Sequence, residues 1–202
     1  MSREAQAADR QLLRRELRRE RSLLSPRARL DAGFKVAASL ATSGWLRPGR
    51  RIGLYLATGS ELDLSETIRL ANARGCTLFI PRITRARTGS MTFAPLAGSL
   101  RRNRYGILEP TTRQRRHPSR LDLILLPLLG FDDRGNRLGS GAGYYDRALA
   151  YRLRRCNWRG PVLLGVAYAC QQLHTIDAAP TDVPLDGVVT EQGIRFFTGE
   201  TT

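Results

Sequence analysis

Apolar residues recur with a helical period over the first 43 positions and then give way to short continuous runs, and that switch sets out the fold. In residues 2–24, Leu13, Leu17 and Leu24 form a narrow apolar stripe, with Asp9 available as an internal cap. Arg10, Arg14, Arg18 and Arg21 follow at spacings of four, four and three, so they share a neighbouring face. Ser25 before Pro26 reads as an N-cap and a first helical residue. They open a second helix to about residue 43, with Leu30, Phe34, Ala37, Ala38 and Ala41 inward. After Gly49, residues 51–57 read as a strand, 64–74 as a helix closed by Gly75, and 76–80 as a strand stopped by Pro81. Strand, helix and strand of these lengths make a βαβ unit of a parallel sheet.

Further apolar runs at residues 91–96, 121–126 and 162–167 extend the sheet, and Gly193 between Val188-Val189 and Ile194–Phe197 predicts a terminal hairpin. Pro127 and Gly130 end the 121–126 run early, which favours a buried strand over a helix. It leads into a loop with Gly135, Gly139, Gly141 and Gly143, followed by an amphipathic helix from 143 to about 156. Residues 113–120 are a basic, loop-like run in which His117 is solvated. No repeat or linker divides the 202 residues, so the expectation is one α/β domain: an open, mostly parallel sheet with helices on both faces. In such sheets functional residues gather where the strands end.

Composition adds a charge constraint. Lys and Arg total 33 against 18 Asp and Glu, a net charge of +15, with Lys35 the single lysine. Such a surface attracts polyanions, whether nucleotides, polyglutamate tails or nucleic acid. Cys76, Cys156 and Cys170 lack ligand or disulfide spacing and read as reduced thiols. There is no apolar run of membrane-spanning length and no signal-peptide core, and Glu4, Asp9, Glu16 and Glu20 argue against a transit peptide. The expected protein is a cytoplasmic monomer, away from membranes.

The candidate chemistry centres on Gly139-x-Gly141-x-Gly143. A strand, a glycine loop and a helix start aim backbone N–H groups at an anion, because glycine lets a phosphate approach closely. The spacing is neither the dinucleotide fingerprint nor a P-loop, and alone it equally describes a tight turn. Arg137 before the glycines suits phosphate, and Asp146 inside the helix suits a divalent cation. Glu61 follows the first strand, where it or Asp63 would also serve as a helix cap.

The run from Arg137 to Asp146, preceded by Pro127 and by Gly130-Phe131-Asp132, resembles the signature of 5-formyltetrahydrofolate cyclo-ligases, also called methenyltetrahydrofolate synthetases. The resemblance spans about residues 10–190 and implies a Rossmann-like architecture with the N-terminal helix beside the nucleotide site. Arg10-Gln11-Leu12-Leu13-Arg14 matches the family's ATP-contacting Lys-x-x-Leu-Arg, with Arg10 replacing the lysine. Arg137, Leu138, Gly139, Ser140, Gly141, Ala142, Gly143, Tyr144 and Tyr145 match the ATP loop, of which Ser140 to Tyr144 also face the folate. Leu56 and Glu61 match folate contacts, Asp146 and Asp182 match Mg²⁺ ligands, and Arg137, Tyr144 and Asp146 match catalytic positions. Ser140 stands where a bulkier or basic residue is usual. The implied activity is ATP-dependent closure of 5-formyltetrahydrofolate to 5,10-methenyltetrahydrofolate. Two rivals remain beside it. An arginine-rich nucleic-acid-binding protein, or incidental RNA binding, accounts for the charge but not for Tyr144-Tyr145-Asp146 or Glu61. An ATP-binding relative with a changed substrate accommodates Ser140.

Overall fold

The computed structural model describes residues 3–85, 90–102, 108–154 and 160–197. Two helices open the chain: α1 (Arg3–Leu23) and α2 (Pro26–Thr42). Between them Ser25 turns the backbone, its Oγ accepting the Ala28 N–H at 3.2 Å while Pro26 takes the first helical position. The rest alternates strands with helices: β1 (Arg51–Gly53), α3 (Ser65–Ala73), β2 (Thr77–Arg85), β3 (Ser90–Pro95), β4 (Leu100–Arg102), β5 (Leu108–Pro110), β6 (Leu123–Pro127), β7 (Gly130–Phe131), β8 (Arg137–Leu138), α4 (Tyr144–Leu149), β9 (Val162–Val166), β10 (Gly187–Thr190) and β11 (Gly193–Phe196). Among the described residues no helix is long and apolar enough to cross a membrane.

The main sheet has seven strands in the order β11-β10-β9-β6-β1-β2-β3. Its inner strands β10, β9, β6, β1 and β2 run parallel, and β3 and β11 close the two edges antiparallel. The chain leaves β1 toward β2 on one side and returns to β6 on the other, so a crevice opens beyond the carboxyl ends of β1 and β6. Side chains alternate across the sheet. Leu123 and Leu125 pack with Ala32, Val36, Leu40 and Ala71 of α2 and α3, while Ile124 and Leu126 pack on the other face with Phe93 and with Leu149 of α4. A third cluster of Leu17, Leu129, Leu138 and Ile176, joined by Leu13 and Leu173, fastens α1 to the β7–β8 hairpin.

Several elements depart from the sequence reading. Helix α2 buries Ala32, Gly33, Val36, Ala37 and Leu40, whereas Leu30 and Phe34 are 61% and 50% exposed. Close approach decides its rotation, because a Cβ on Gly33 would lie 3.1 Å from the Asp63 carbonyl. Gly33 takes that contact, and the same rotation buries Val36 and Leu40 while Leu30 and Phe34 turn outward. Strand β1 is shorter than expected, and β2 runs on through Pro81. Pro81 stands opposite Phe93, whose own N–H and carbonyl bond Arg116, so no ladder bond to Pro81 is lost. The helix after the glycine loop stops at Leu149 and tightens into a 3-10 turn over Ala150–Arg154. Cys156 and residues 103–107 lie outside the described residues. The β4–β5 and β7–β8 hairpins were not anticipated. Buried Asp132 builds the second turn by accepting the N–H groups of Arg134 at 3.0 Å and Asn136 at 2.9 Å.

Candidate active site

A cavity of about 790 Å³ lies at the carboxyl ends of β1, β2 and β6, with α1 along one side. One wall combines Arg10, Arg14, Arg18 and Arg137 with residues 139–146 and Asp182. The rest of the lining combines Tyr55, Leu56 and Glu61 after β1 with Ile80, Pro81 and Ile83 of β2, Met91 of β3, and Leu108 and Glu109 of β5.

The arginine wall is held by few, strong contacts. Arg14 Nε donates to the Gly139 carbonyl at 3.0 Å, and Arg18 reaches the Ser140 carbonyl at 3.5 Å. Gly141 has φ 105°, a backbone conformation that would strain any L side chain, so glycine suits this turn of the loop beside the Arg14 guanidinium. Arg10 pairs with Asp182 at 3.0 Å, yet its buried Nε has no partner. Burial lowers the Arg14 pKa and repulsion from Arg10 and Arg18 lowers it further, with Asp182 opposing. A bound anion would relieve both strains, which fits a polyphosphate. Arg137 is 6% exposed; it donates to the Val183 carbonyl at 2.6 Å and is paired with Asp146. Burial lowers its pKa, and Asp146 and Asp182 partly restore it.

Asp146 also accepts the Val183 N–H at 3.3 Å. It does not cap α4, whose N-cap is Gly143 at φ 65° without a side-chain bond. Asp182 accepts the Ala179 N–H at 3.0 Å. Among the described residues no three His, Cys, Asp or Glu gather as a metal cluster. Two carboxylates on one cavity fit an ion that takes one or two carboxylates and draws its other ligands from phosphate and water, as Mg²⁺ does.

On the other wall, Glu61 closes its own turn, accepting the Thr58 N–H at 2.9 Å and the Thr58 hydroxyl at 3.1 Å. The bond at the start of α3 falls instead to Asp63, which accepts the Ser65 N–H at 2.9 Å. Glu61 thus stays in the cavity lining, beside Tyr55 and Tyr145. Burial pushes both phenols up, and the Glu61 charge adds to it. Tyr55 donates to the Leu62 carbonyl at 2.8 Å, which shapes the same turn.

The structure brings Arg10, Arg14, Leu56, Glu61, Arg137, Gly139 to Asp146, and Asp182 onto one cavity. It leaves four of the expected nucleotide contacts off the lining. Gln11 and Leu12 are exposed, turned away by the helical period that aims Arg10 and Arg14 inward. Leu13 and Leu138 belong to the small cluster that docks α1 on the hairpin. A solvated basic face does not describe α1, since Arg10 and Arg14 are half-buried and Arg21 is buried. His117 is exposed and caps a 3-10 turn through Ser119, and His174 is exposed as well. Sequence reasoning missed Tyr55, Arg21, Met91 and Glu109 as lining residues. Buried Glu109 accepts the Ile83 N–H at 3.1 Å; position at strand ends was the available signal for Tyr55.

Comparison with known proteins identifies the family and the fold. The 5-formyltetrahydrofolate cyclo-ligase from Escherichia coli K12 is 30% identical over 180 residues, covering 86% of this chain and 96% of the relative. The mouse 5-formyltetrahydrofolate cyclo-ligase is 29% identical over 188 residues, covering 89% and 92%. The solved 5,10-methenyltetrahydrofolate synthetase of Aquifex aeolicus superimposes with a TM-score of 0.79 at 27% identity over 96% of this chain and 95% of its own. That of Mycoplasma pneumoniae, at 23% identity and a TM-score of 0.71 over 91% and 99%, shows the same fold. The family profile matches residues 6–191, and the chain belongs to the 5-formyltetrahydrofolate cyclo-ligase family.

Proposed function

We propose that the chain closes 5-formyltetrahydrofolate to 5,10-methenyltetrahydrofolate with ATP, releasing ADP and phosphate. The observation that carries this reading is the meeting, in one cavity, of an arginine and glycine wall with a wall that holds Leu56 and Glu61. The formyl oxygen of an amide is a poor leaving group. Transfer of the γ-phosphoryl group to it, with ADP leaving, gives an iminium phosphate. N10 then attacks the formyl carbon and gives up its proton, the C–O bond breaks, and phosphate departs as the ring closes.

Neither step needs a side-chain nucleophile, and the work is positioning and charge stabilisation. Arg10, Arg14 and Arg137 face the triphosphate, and the loop from Gly139 to Tyr145 lets it approach the backbone. Ser140 to Tyr144 line the contact between the two substrates, with Tyr144 and Arg137 nearest the transferred group. Leu56 and Glu61 orient the folate. Mg²⁺, held by Asp146 and Asp182, would neutralise the phosphate oxygens during transfer.

On this reading the chain acts as a monomer, and the free thiols of Cys76 and Cys170 fit a reducing, cytoplasmic setting. Incidental, salt-sensitive RNA binding is expected of a +15 chain and is no part of the activity. The test is the absorbance of the methenyl product formed by purified protein from 5-formyltetrahydrofolate, with and without ATP and Mg²⁺. Product that appears only with both supports the proposal. Nucleotide hydrolysis without methenyl formation would mean a changed substrate, the reading that Ser140 leaves standing.

A further inference from the structure

Arg21 sits apart from the other arginines of α1. Its side chain is 7% exposed, whereas Arg18, one turn earlier, is exposed. Nε donates to Ser60 Oγ at 3.0 Å and Nη1 to the Leu128 carbonyl at 3.4 Å. None of the ion pairs among the described residues includes it. A guanidinium this buried and held by neutral acceptors is costly to keep, so its retention asks for a use. Burial lowers its pKa, and the strongest opposing charge is Glu61.

Its two acceptors belong to different parts of the site. Ser60 lies in the turn that Glu61 closes on Thr58. Leu128 follows β6, and its carbonyl also accepts Gln171 Nε2 at 3.0 Å. Two turns earlier on the same helix, Arg14 holds the Gly139 carbonyl of the glycine loop. Seven residues of helix span about 10 Å, so α1 is a stiff bar anchored on both walls of the cavity.

We infer that Arg21 is a positioning residue that couples the two substrates, fixing the Glu61 turn to the helix whose arginines face the phosphates. The inference rests on the function proposed above. A nucleotide that engages Arg10 and Arg14 sets the position of α1, and the Arg21–Ser60 bond passes that setting to the folate wall. In-line transfer to the formyl oxygen tolerates little misplacement, which gives the coupling a purpose.

The experiment measures the affinity of 5-formyltetrahydrofolate by calorimetry, with and without a saturating non-hydrolysable ATP analogue. It uses the unmodified chain and the Arg21→Gln, Arg21→Lys and Ser60→Ala variants. In the unmodified chain the analogue should tighten folate binding by about fivefold or more, and in all three variants by less than about twofold. Arg21→Lys is expected to fail with Arg21→Gln because an ammonium keeps the charge without the two-point fork. The folate KM should rise in each variant, while affinity for the analogue alone holds. A folded Arg21→Gln protein that keeps the coupling, or loses nucleotide affinity as much as folate affinity, would overturn the inference. Should Arg21→Gln not fold, Ser60→Ala decides by itself, since it removes one bond and buries no new charge; unchanged coupling there rejects the role of the clamp. Absence of reduced-folate binding by the unmodified chain would overturn the proposed function and this inference together.

Discussion

Asp146→Asn separates the proposed cation role of Asp146 from its structural one. Asp146 Oδ1 receives both Arg137 Nη2 and the Val183 N–H. Asparagine keeps an acceptor oxygen at that point but removes the charge. Arg137, 6% exposed, then loses its paired carboxylate and keeps the Val183 carbonyl, with Asp182 as a second nearby anion. Exchanging a charge-assisted bond for a neutral one at this half-screened site should cost about 1 to 2 kcal/mol, a fall in Tm of roughly 2–8 °C for a chain of this size. The catalytic cost should be larger. If Asp146 is one of two carboxylates holding Mg²⁺, as proposed, its loss should lower turnover by about 100-fold or more, the scale of removing one preorganised contact to developing charge. Melting curves with and without Mg²⁺ and ATP, beside Mg²⁺ titrations of methenyl formation, read the two effects separately. A protein that melts lower but keeps full turnover and an unchanged Mg²⁺ requirement would show that Asp146 serves Arg137 alone. Asp182→Asn is the companion: it should raise the Mg²⁺ concentration needed and free Arg10, whose pairing at 3.0 Å it abolishes.

Glu61→Gln keeps an acceptor for Thr58 but not the charge, and should weaken folate binding by roughly 1.5 to 3 kcal/mol while the KM for ATP holds. Steady-state kinetics in each substrate checks this, and lost ATP affinity with intact folate affinity contradicts it. Changing Arg10 and Arg14 together to Ala should raise the KM for ATP and lower kcat, whereas Arg18→Ala, at an exposed position with one long contact, should change little. Equal activity in both would remove α1 from the nucleotide site. For pH, the hydrogen-bonded pair with Arg51 is the main reason the Asp122 carboxyl lies below its ordinary value, with burial opposing. That stabilisation is complete above the unfolded value near 4 and is lost as pH falls through the lowered folded value, so Asp122→Asn should flatten the Tm profile below about pH 4. A profile as steep as that of the unmodified chain would reject the assignment.

Local chemistry was legible wherever a residue type dictates the backbone by itself. Ser25-Pro26 fixed the break between helices, and the apolar run ended by Pro127 marked the central strand. The face of α2 was not legible, because hydrophobicity favours Leu30 and Phe34 while the packing distance to the Asp63 carbonyl favours the face that carries Gly33. Pro81 reads as a strand stop only if its missing N–H matters, and that depends on which neighbour β3 bonds. The site followed the same division. Arg10, Arg14 and the glycine loop carry their pattern within a few residues, but Glu109 and Tyr55 enter the cavity through tertiary placement. The spacing of α1 gave Arg21 the same status as Arg18, and only docking on Leu129 and Leu138 through Leu17 shows that one is buried and the other is not.

The site contains the counter-charges that its proposed ligands would exchange. Asp182 neutralises Arg10, and Asp146 neutralises Arg137. A cavity lined by these arginines without the carboxylates would carry strong self-repulsion, which Arg14 registers through Arg10 and Arg18. On the proposed reading, a polyphosphate takes over the arginines as the cation takes over the carboxylates, so the number of charge pairs rises without any charge being left alone. Each partner by itself gains less: the nucleotide meets arginines still engaged with aspartates, and the cation meets aspartates still engaged with arginines. The arrangement therefore predicts mutual dependence of ATP and Mg²⁺ binding. Calorimetric titration of ATP with and without Mg²⁺, repeated on Asp182→Asn, reads that dependence directly. If removing the Asp182 charge tightens metal-free ATP while weakening the Mg²⁺ complex, the exchange holds. If Asp182→Asn weakens both alike, Asp182 contributes to the nucleotide pocket only as a support for Arg10.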